Sequence, residues 1–174
     1  SRGLGDVYKR QPYDCAVANT FYRKDVFEAN SKDFEAEYGY RMEFTEDTTW
    51  KQVHEFTAFL KKLRESGKDV PYGYAQHHGT FAWTTQLDIQ RMMFAHGRWL
   101  DWEIDDKLGS KTPPPSNWGD EQSVLLMQKH KDIADVSHPD NLANGTLELN
   151  TVYQAGDIAT VSYTHLTLPT RIFV

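Results

Sequence analysis

The stretch Thr49–Gly67 reads TWKQVHEFTAFLKKLRESG and predicts the clearest element of the chain. Thr49 followed by Gln52 three residues later is the pattern of a capping box, which begins a helix. Four apolar side chains then recur at helical spacing: Val53, Phe56, Leu60 and Leu63. Because this spacing places them on one face, we expect an amphipathic helix that ends near Gly67 and contributes these four side chains to the core.

Helices and short strands are predicted to alternate on both sides of this helix. Strands are expected at 15–22, 71–75 and 157–159, where β-branched and aromatic residues cluster. Helical segments are expected at 26–38 as one or two short turns, and at 80–96, 120–133 and 146–153. Residues 98–118 contain Pro113–Pro115 and are expected to form an irregular excursion. The alternation predicts an α/β layered domain.

Composition limits the possible partners. The chain has 174 residues and a formal net charge of −6, and it contains no basic stripe. Because a nucleic-acid backbone is bound through clustered positive charge, we do not expect nucleic acid to be a partner. No apolar run reaches the roughly 20 residues of a membrane-spanning helix. Cys15 is the single cysteine, so no internal disulfide is possible, and we expect it to be a small buried residue in a strand.

The two ends of the chain share one short DNA element in inverted orientation. One allowed coding of Asp6–Gln11 (DVYKRQ) is GATGTGTATAAGAGACAG. Its reverse complement, read from the third base, encodes Val-Ser-Tyr-Thr-His, which stands at Val161–His165. Further outward, Ser1–Gly5 and Leu166–Thr170 resemble the two arms of a transposon-based library adapter. We therefore interpret residues 1–11 and about 160–174 as translated adapter sequence.

The natural segment is then expected to be 12–159, an internal fragment of a longer protein. The excluded ends hold Arg2, Lys9, Arg10 and Arg171 against Asp6 alone, so the natural segment is more acidic than the whole chain. A missing signal peptide carries no information about localisation when the DNA has been cut internally. We also expect such a fragment to have marginal stability.

Three stretches in order resemble the extracellular solute-binding proteins of ABC sugar importers, family 1-like. Thr20–Phe27 (TFYRKDVF) is similar to the family's strand and "YNKDLF"-like turn into a helix. Tyr38–Tyr40 followed by Thr48–Val53 (TTWKQV) resembles its "P-x-TW-x-E" helix start, although Asp47 and Thr48 replace the usual proline. Asn150–Ala159 (NTVYQAGDIA) resembles its "F-x-x-G-x-A-A-M" segment. The likeness spans nearly all of 12–159.

This resemblance implies a partial periplasmic-binding-protein type II fold, with most of one lobe present and the second lobe absent. It implies a protein that captures a sugar or polyol and delivers it to ABC permease subunits, without being an enzyme. The location would be periplasmic or extracellular, with a lipid anchor an open alternative for the full-length protein. No glycine loop for phosphates and no dinucleotide fingerprint occurs, so no cofactor is expected.

Candidate ligand residues follow the strand predicted at 71–75. Ligands of open α/β sheets bind beyond strand ends, and sugars need aromatic faces and planar polar groups. By analogy with the family, the first candidates are Gln76, His77, Thr80 and Trp83. Tyr13 and Asp14 come second, and Trp99 and Asp101 combine an aromatic ring with a carboxylate. The alternative is that all of these are ordinary loop and helix-start residues.

Two other functions remain open. A carbohydrate-acting hydrolase would need two carboxylates about 5–10 Å apart. The candidates for that pair are Asp101, Glu103, Asp105 and Asp106. A non-binding interaction domain would be favoured if His77 and Trp83 reached no common concavity. A metal site is not expected, because His77 and the adjacent His78 would point apart in an extended loop and no third ligand stands at a diagnostic spacing.

Overall fold

A computed structural model describes residues 19–76, 82–97, 119–142 and 145–163. Within these ranges the fold is mixed α/β, with a small sheet and five α-helices. The strands are β1 (Asn19–Tyr22), β2 (Tyr72–Ala75) and β3 (Ile158–Tyr163). The helices are α1 (Lys24–Tyr38), α2 (Trp50–Glu65), α3 (Ala82–Ala95), α4 (Glu121–Val136) and α5 (Thr146–Ala155), and a 3₁₀ turn covers Pro139–Leu142.

The sheet has the order β1-β3-β2, with β3 in the centre. β2 runs parallel to β3, pairing Tyr74 with Thr160. β1 runs antiparallel to β3, pairing Thr20 with Ser162. The carboxyl ends of β2 and β3 therefore meet the beginning of β1 at one edge of the sheet.

Aromatic side chains of α1 and α2 form the first core cluster. Phe34 on α1 is fully buried, and its ring centroid lies 5.3 Å from that of Phe56 on α2 in an edge-on arrangement. Phe27 contacts Phe56 in the same way at 5.5 Å. Such edge-to-face pairs add to the stabilisation that burial of the rings provides. As the sequence predicts, Phe56 and Leu60 are buried, while Val53 and Leu63 are partly buried at the margins of the core.

The sheet carries two further clusters. Tyr74 packs with Met92 and Met93 of α3 and with Leu126 and Ile133 of α4. The other cluster joins β2, β3 and α5 through Ala75, Ile158, Val161 and Leu149. These contacts fix the carboxyl edge of the sheet between helices.

Local sequence signals explain four of the helix ends. The capping box of α2 is formed, with the Gln52 amide N–H donating to Thr49 Oγ1 and the Thr49 amide N–H donating to Gln52 Oε1. The Asp120 carboxylate caps α4 by accepting from the Ser123 amide N–H at 2.7 Å. Gly39 and Gly156 end α1 and α5 with positive φ values of 81° and 86°, which glycine adopts without steric cost.

Two elements differ in length from the sequence-based expectation. Residues 26–38 form one continuous helix and not short turns, because Val26, Phe27, Asn30 and Phe34 fall on a single buried face. The last strand continues beyond Ala159 to Tyr163. The strand is longer than predicted because Val161 and Ser162 pair with β1 in the centre of the sheet, where they are only 0% and 5% exposed. Strand pairing is the same whatever DNA encodes residues 160–163, so the structure does not test their origin. Their assignment to adapter sequence stays a prediction.

No helix in the described ranges has both the length and the apolar character needed to cross a bilayer. The irregular excursion predicted for 98–118 and the placement of Cys15 lie outside the described residues.

Candidate ligand-binding site

A groove of about 590 Å³ opens at the carboxyl edge of the sheet; we call it the strand-end groove. Its floor comes from the strands and its wall from α2 and the segment before that helix. The lining residues are Asn19, Thr20, Phe44, Thr45, Glu46, Thr48, Trp50, Val53, Tyr74, Thr160 and Ser162. Its volume lies within the range of small-molecule pockets.

Strand register explains why the floor side chains converge. Thr20 stands opposite Ser162, and Tyr74 stands opposite Thr160. Residues directly opposite each other point to the same face of a sheet, as do residues two apart on one strand. The three strands therefore present Thr20, Ser162, Thr160 and Tyr74 together on one face.

The groove combines ring surfaces with small polar groups. Phe44, Trp50 and Tyr74 supply the rings, while the threonine and serine hydroxyls and the Asn19 amide can donate and accept hydrogen bonds. Among the residues that the structure describes, Glu46 and the phenol of Tyr74 are the ionisable groups that line it. Such a lining suits an uncharged ligand that has an apolar face and several hydroxyl groups.

A buried polar cluster holds Tyr74 in position. The Tyr74 hydroxyl donates to Asp88 Oδ1 at 3.3 Å, and Arg91 Nη1 pairs with the same oxygen at 2.6 Å. Arg91 Nη1 also donates to the main-chain oxygen of Ser162 at 3.1 Å. Burial raises the pKa of Tyr74 well above its ordinary value, so the phenol stays protonated. The hydrogen bond from Arg91 to Ser162 thus connects α3 to the end of β3. Asp88 is 1% exposed, so removal of Arg91 would leave its buried charge unpaired at a cost of about 3–5 kcal/mol.

Thr160 carries a polar atom that has no hydrogen-bond partner in the described ranges. Its side chain lines the groove and the residue is 2% exposed, yet among the described residues nothing hydrogen-bonds to its Oγ1. A buried hydroxyl without a partner costs about 1–3 kcal/mol.

A second cavity of about 630 Å³ lies beside the groove, between α2, α3 and α4; we call it the helix cavity. It shares Glu46, Thr48 and Trp50 with the strand-end groove. Its other polar lining residues are Asp47, Thr49, Lys51, His54, His96, Lys129 and Asp132. Met92 and Ile133 form an apolar part of its lining. Within the described ranges, no group of three or more His, Cys, Asp or Glu side chains is arranged to hold a metal ion.

Gln76 is the one predicted site residue whose side chain is described, and it has structural partners. It is fully buried, and its amide N–H donates to Asn141 Oδ1 at 3.0 Å. Its side-chain Nε2 lies 3.3 Å from His130 Nδ1. These bonds connect the end of β2 to α4 and to the 3₁₀ turn, while a contact of Gln76 with ligand stays a prediction.

The other predicted residues lie outside what the structure describes. Trp83 falls within α3, but its side chain is not among the described ones. His77, Thr80, Tyr13, Asp14, Trp99 and Asp101 lie outside the described ranges altogether. The same holds for Glu103, Asp105 and Asp106, the further candidates for a carboxylate pair.

Sequence reasoning did not single out the residues that line the groove. Trp50 lies in the predicted helix-start motif, and its large aromatic side chain at the first helical position is the sequence signal that could have pointed to it as a groove residue. Thr20 and Tyr74 lie in predicted strands, but their convergence depends on the order β1-β3-β2, which no local pattern encodes. Thr160 and Ser162 lie in the segment that the sequence predicts to be adapter-derived.

No protein-family model and no curated protein matches the chain. The resemblance to solute-binding proteins therefore rests on the three sequence stretches.

Proposed function

We propose that the chain is part of one lobe of a solute-binding protein that captures a neutral sugar or polyol for ABC permease subunits. The observation that carries this function is the strand-end groove, whose lining in the described part of the chain offers aromatic rings and hydroxyl groups and no lysine or arginine. A sugar ring would lie against Trp50, with its hydroxyls toward Asn19 and Thr20. Binding would involve no bond chemistry, so the protein would not be an enzyme.

The proposal extends to the fold and location of the parent protein. A mixed sheet with helices packed against it is compatible with one lobe of the periplasmic-binding-protein type II fold. The second lobe would close over the same groove, and a permease would respond to the population of closed molecules. Such a protein would act in the periplasm or outside the cell.

Two groove residues, Thr160 and Ser162, belong to the segment predicted to be adapter-derived. The parent protein would carry other residues at these two positions. Support for its ligand class therefore comes from Asn19, Thr20, Trp50 and Tyr74, which lie within 12–159.

Calorimetric titration of the 174-residue chain with a panel of neutral sugars and polyols tests the function. We expect at least one member to bind, and the Thr20→Val variant to weaken that binding about tenfold through the loss of one hydrogen bond. Thr20 is exposed, so this change removes a hydroxyl without opening the core.

Leu125→Ala is the matched control, because Leu125 is 53% exposed and lines neither cavity. Circular dichroism of each variant establishes that it is folded. If no sugar or polyol binds to the folded chain, or if Thr20→Val binds as well as the control, the groove is not the ligand site.

A further inference from the structure

The outer edge of β1, which faces away from β3, has no strand paired with it in the described ranges. We propose that this edge pairs with the same edge of a second copy of the chain. The three-stranded sheets of the two copies would then join into one continuous sheet across a two-fold axis. The inference concerns self-association and does not depend on the proposed sugar-binding function.

The register of β1 shows which of its main-chain groups point away from β3. Arg23, directly after the strand, donates its amide N–H to the Ala159 oxygen at 2.8 Å, so it points toward β3. Positions that bond to the neighbouring strand alternate along an antiparallel pair, so Phe21 also points inward, while Thr20 and Tyr22 point outward. Within the described ranges, no group outside the sheet hydrogen-bonds to the outward N–H and C=O groups of these two residues.

The other edge strand, β2, is held by groups outside the sheet. The Tyr74 main-chain oxygen accepts from the His138 N–H at 3.0 Å, and the Gln76 N–H after the strand donates to Asn141 Oδ1 at 3.0 Å. In contrast, the sequence of β1 is Asn-Thr-Phe-Tyr and contains none of the charged residues or prolines that commonly protect an exposed strand edge. The edge of β1 is therefore suited to strand addition.

A two-fold axis at Phe21 makes the outer edge of β1 complementary to itself. It places Thr20 of each copy opposite Tyr22 of the other copy, and both residues have outward main-chain groups. Each such pair exchanges two N–H···O bonds, so the two pairs would satisfy every outward N–H and C=O of these residues. The Phe21 residues of the two copies would form the central non-hydrogen-bonded pair, in which side chains lie closest together.

The side chains around this axis favour a second copy as the partner. Phe21 is half-buried against the cluster that joins β2, β3 and α5, and the ring of the other copy would cover its exposed part. Arg23 would lie opposite the uncharged Asn19, so no like charges face each other. Each copy carries a net charge of −6, so added salt should strengthen the dimer by screening this repulsion. Because a short strand buries little area, we expect a weak association that depends on concentration.

Sedimentation equilibrium of the 174-residue chain between about 10 μM and about 1 mM tests the dimer. We expect the average mass to rise with concentration from 20.1 kDa toward twice that value, and to rise further at higher salt. Thr20→Pro removes an outward N–H but no bond to β3, so it should keep the chain at the monomer mass. Thr20→Val is the matched control, because it keeps the main-chain N–H and should associate like the parent chain.

Amide hydrogen exchange followed by NMR separates edge pairing from association through the exposed apolar residues of α4, such as Leu125. The amides of Thr20 and Tyr22 should exchange more slowly as the protein concentration rises, while the inward amide of Phe21 is protected at every concentration. This measurement needs no variant, so it is decisive even if circular dichroism shows that Thr20→Pro is unfolded. A constant mass over the whole concentration range, a folded Thr20→Pro variant that still dimerises, or exchange of both outward amides that is independent of concentration would overturn the proposal.

Discussion

Tyr40 and Glu55 form a polar contact at the margin of the aromatic cluster. The Tyr40 hydroxyl donates to Glu55 Oε2 at 2.5 Å, and Glu55 also pairs with Lys51 at 3.7 Å. Burial, followed by the hydrogen bond to Glu55, raises the pKa of Tyr40 above its ordinary value. The folded chain therefore holds this proton more tightly than the unfolded chain does.

We expect the chain to lose stability in alkali partly through Tyr40. A raised folded-state pKa contributes stability that is complete below the unfolded pKa of about 10 and is lost as the pH rises toward the folded value. Tyr40→Phe should cost about 1.5 kcal/mol at neutral pH and reduce the loss of stability at high pH. Urea unfolding between about pH 8 and pH 11 measures both effects.

The slope of the unfolding free energy against pH should become smaller in Tyr40→Phe but should not reach zero. The pKa values of Tyr38, Tyr74 and Tyr153 are raised as well, so these residues also contribute to the loss of stability in alkali. Glu55→Gln keeps an acceptor oxygen but removes the negative charge, so it should change the slope less than Tyr40→Phe. A Tyr40→Phe variant with the same pH dependence as the parent chain would contradict this assignment.

At the scale of elements, α2 and β2 approach each other at a glycine. A Cβ atom on Gly73 would lie 2.4 Å from the Thr57 Cα atom, which belongs to the main chain of α2. Thr57 is itself 1% exposed. The close approach of this strand to the helix therefore requires the absence of a side chain at position 73.

Gly73→Ala should destabilise the chain by about 1–3 kcal/mol, the usual cost of adding a methyl group to a packed contact. Gly119→Ala is the matched control, because a Cβ there would meet nothing within 4 Å. The free energies of unfolding in urea compare the two variants. Equal stability of both would mean that β2 can move away from α2 without cost.

Elements with local signals could be predicted from the sequence, and those that depend on distant contacts could not. Each local signal acts within a single helix: the capping box and the spacing of Phe56 and Leu60 in α2, and a terminal glycine in α1 and in α5. The predicted α2 is confirmed, and its end lies within two residues of the predicted one. The pairing of Thr20 with Ser162 joins residues far apart in the chain, so no local pattern contains it. The same reason explains why the groove was not predicted while its individual strands were.

At the scale of the whole molecule, the central strand depends on the residues predicted to be adapter-derived. All four residue pairs between β1 and β3 use Thr160–Tyr163. Val161 is also fully buried in the cluster with Ala75, Ile158 and Leu149. Without these residues, β1 would lose its partner and the cluster would lose a core side chain.

A chain that ends at Ala159 should therefore show no cooperative thermal transition, in line with the marginal stability expected for 12–159. A chain that ends at Tyr163 is the matched control and should melt like the 174-residue chain, because it keeps every described strand pair. Circular dichroism during heating measures this difference. Identical cooperative melts of the two shortened chains would show that β1 and the end of β3 are dispensable.

The pairing of Asn19 with Tyr163 has a consequence for chain connectivity. Antiparallel partners have Cα atoms only about 4.5–5.5 Å apart, so the first and last described residues are neighbours in space. A short linker could join these two positions and close the backbone into a ring. New ends could then be opened at the exposed Lys68 and Asp69, between α2 and β2, to give a circular permutant in which β3 and β1 form a hairpin.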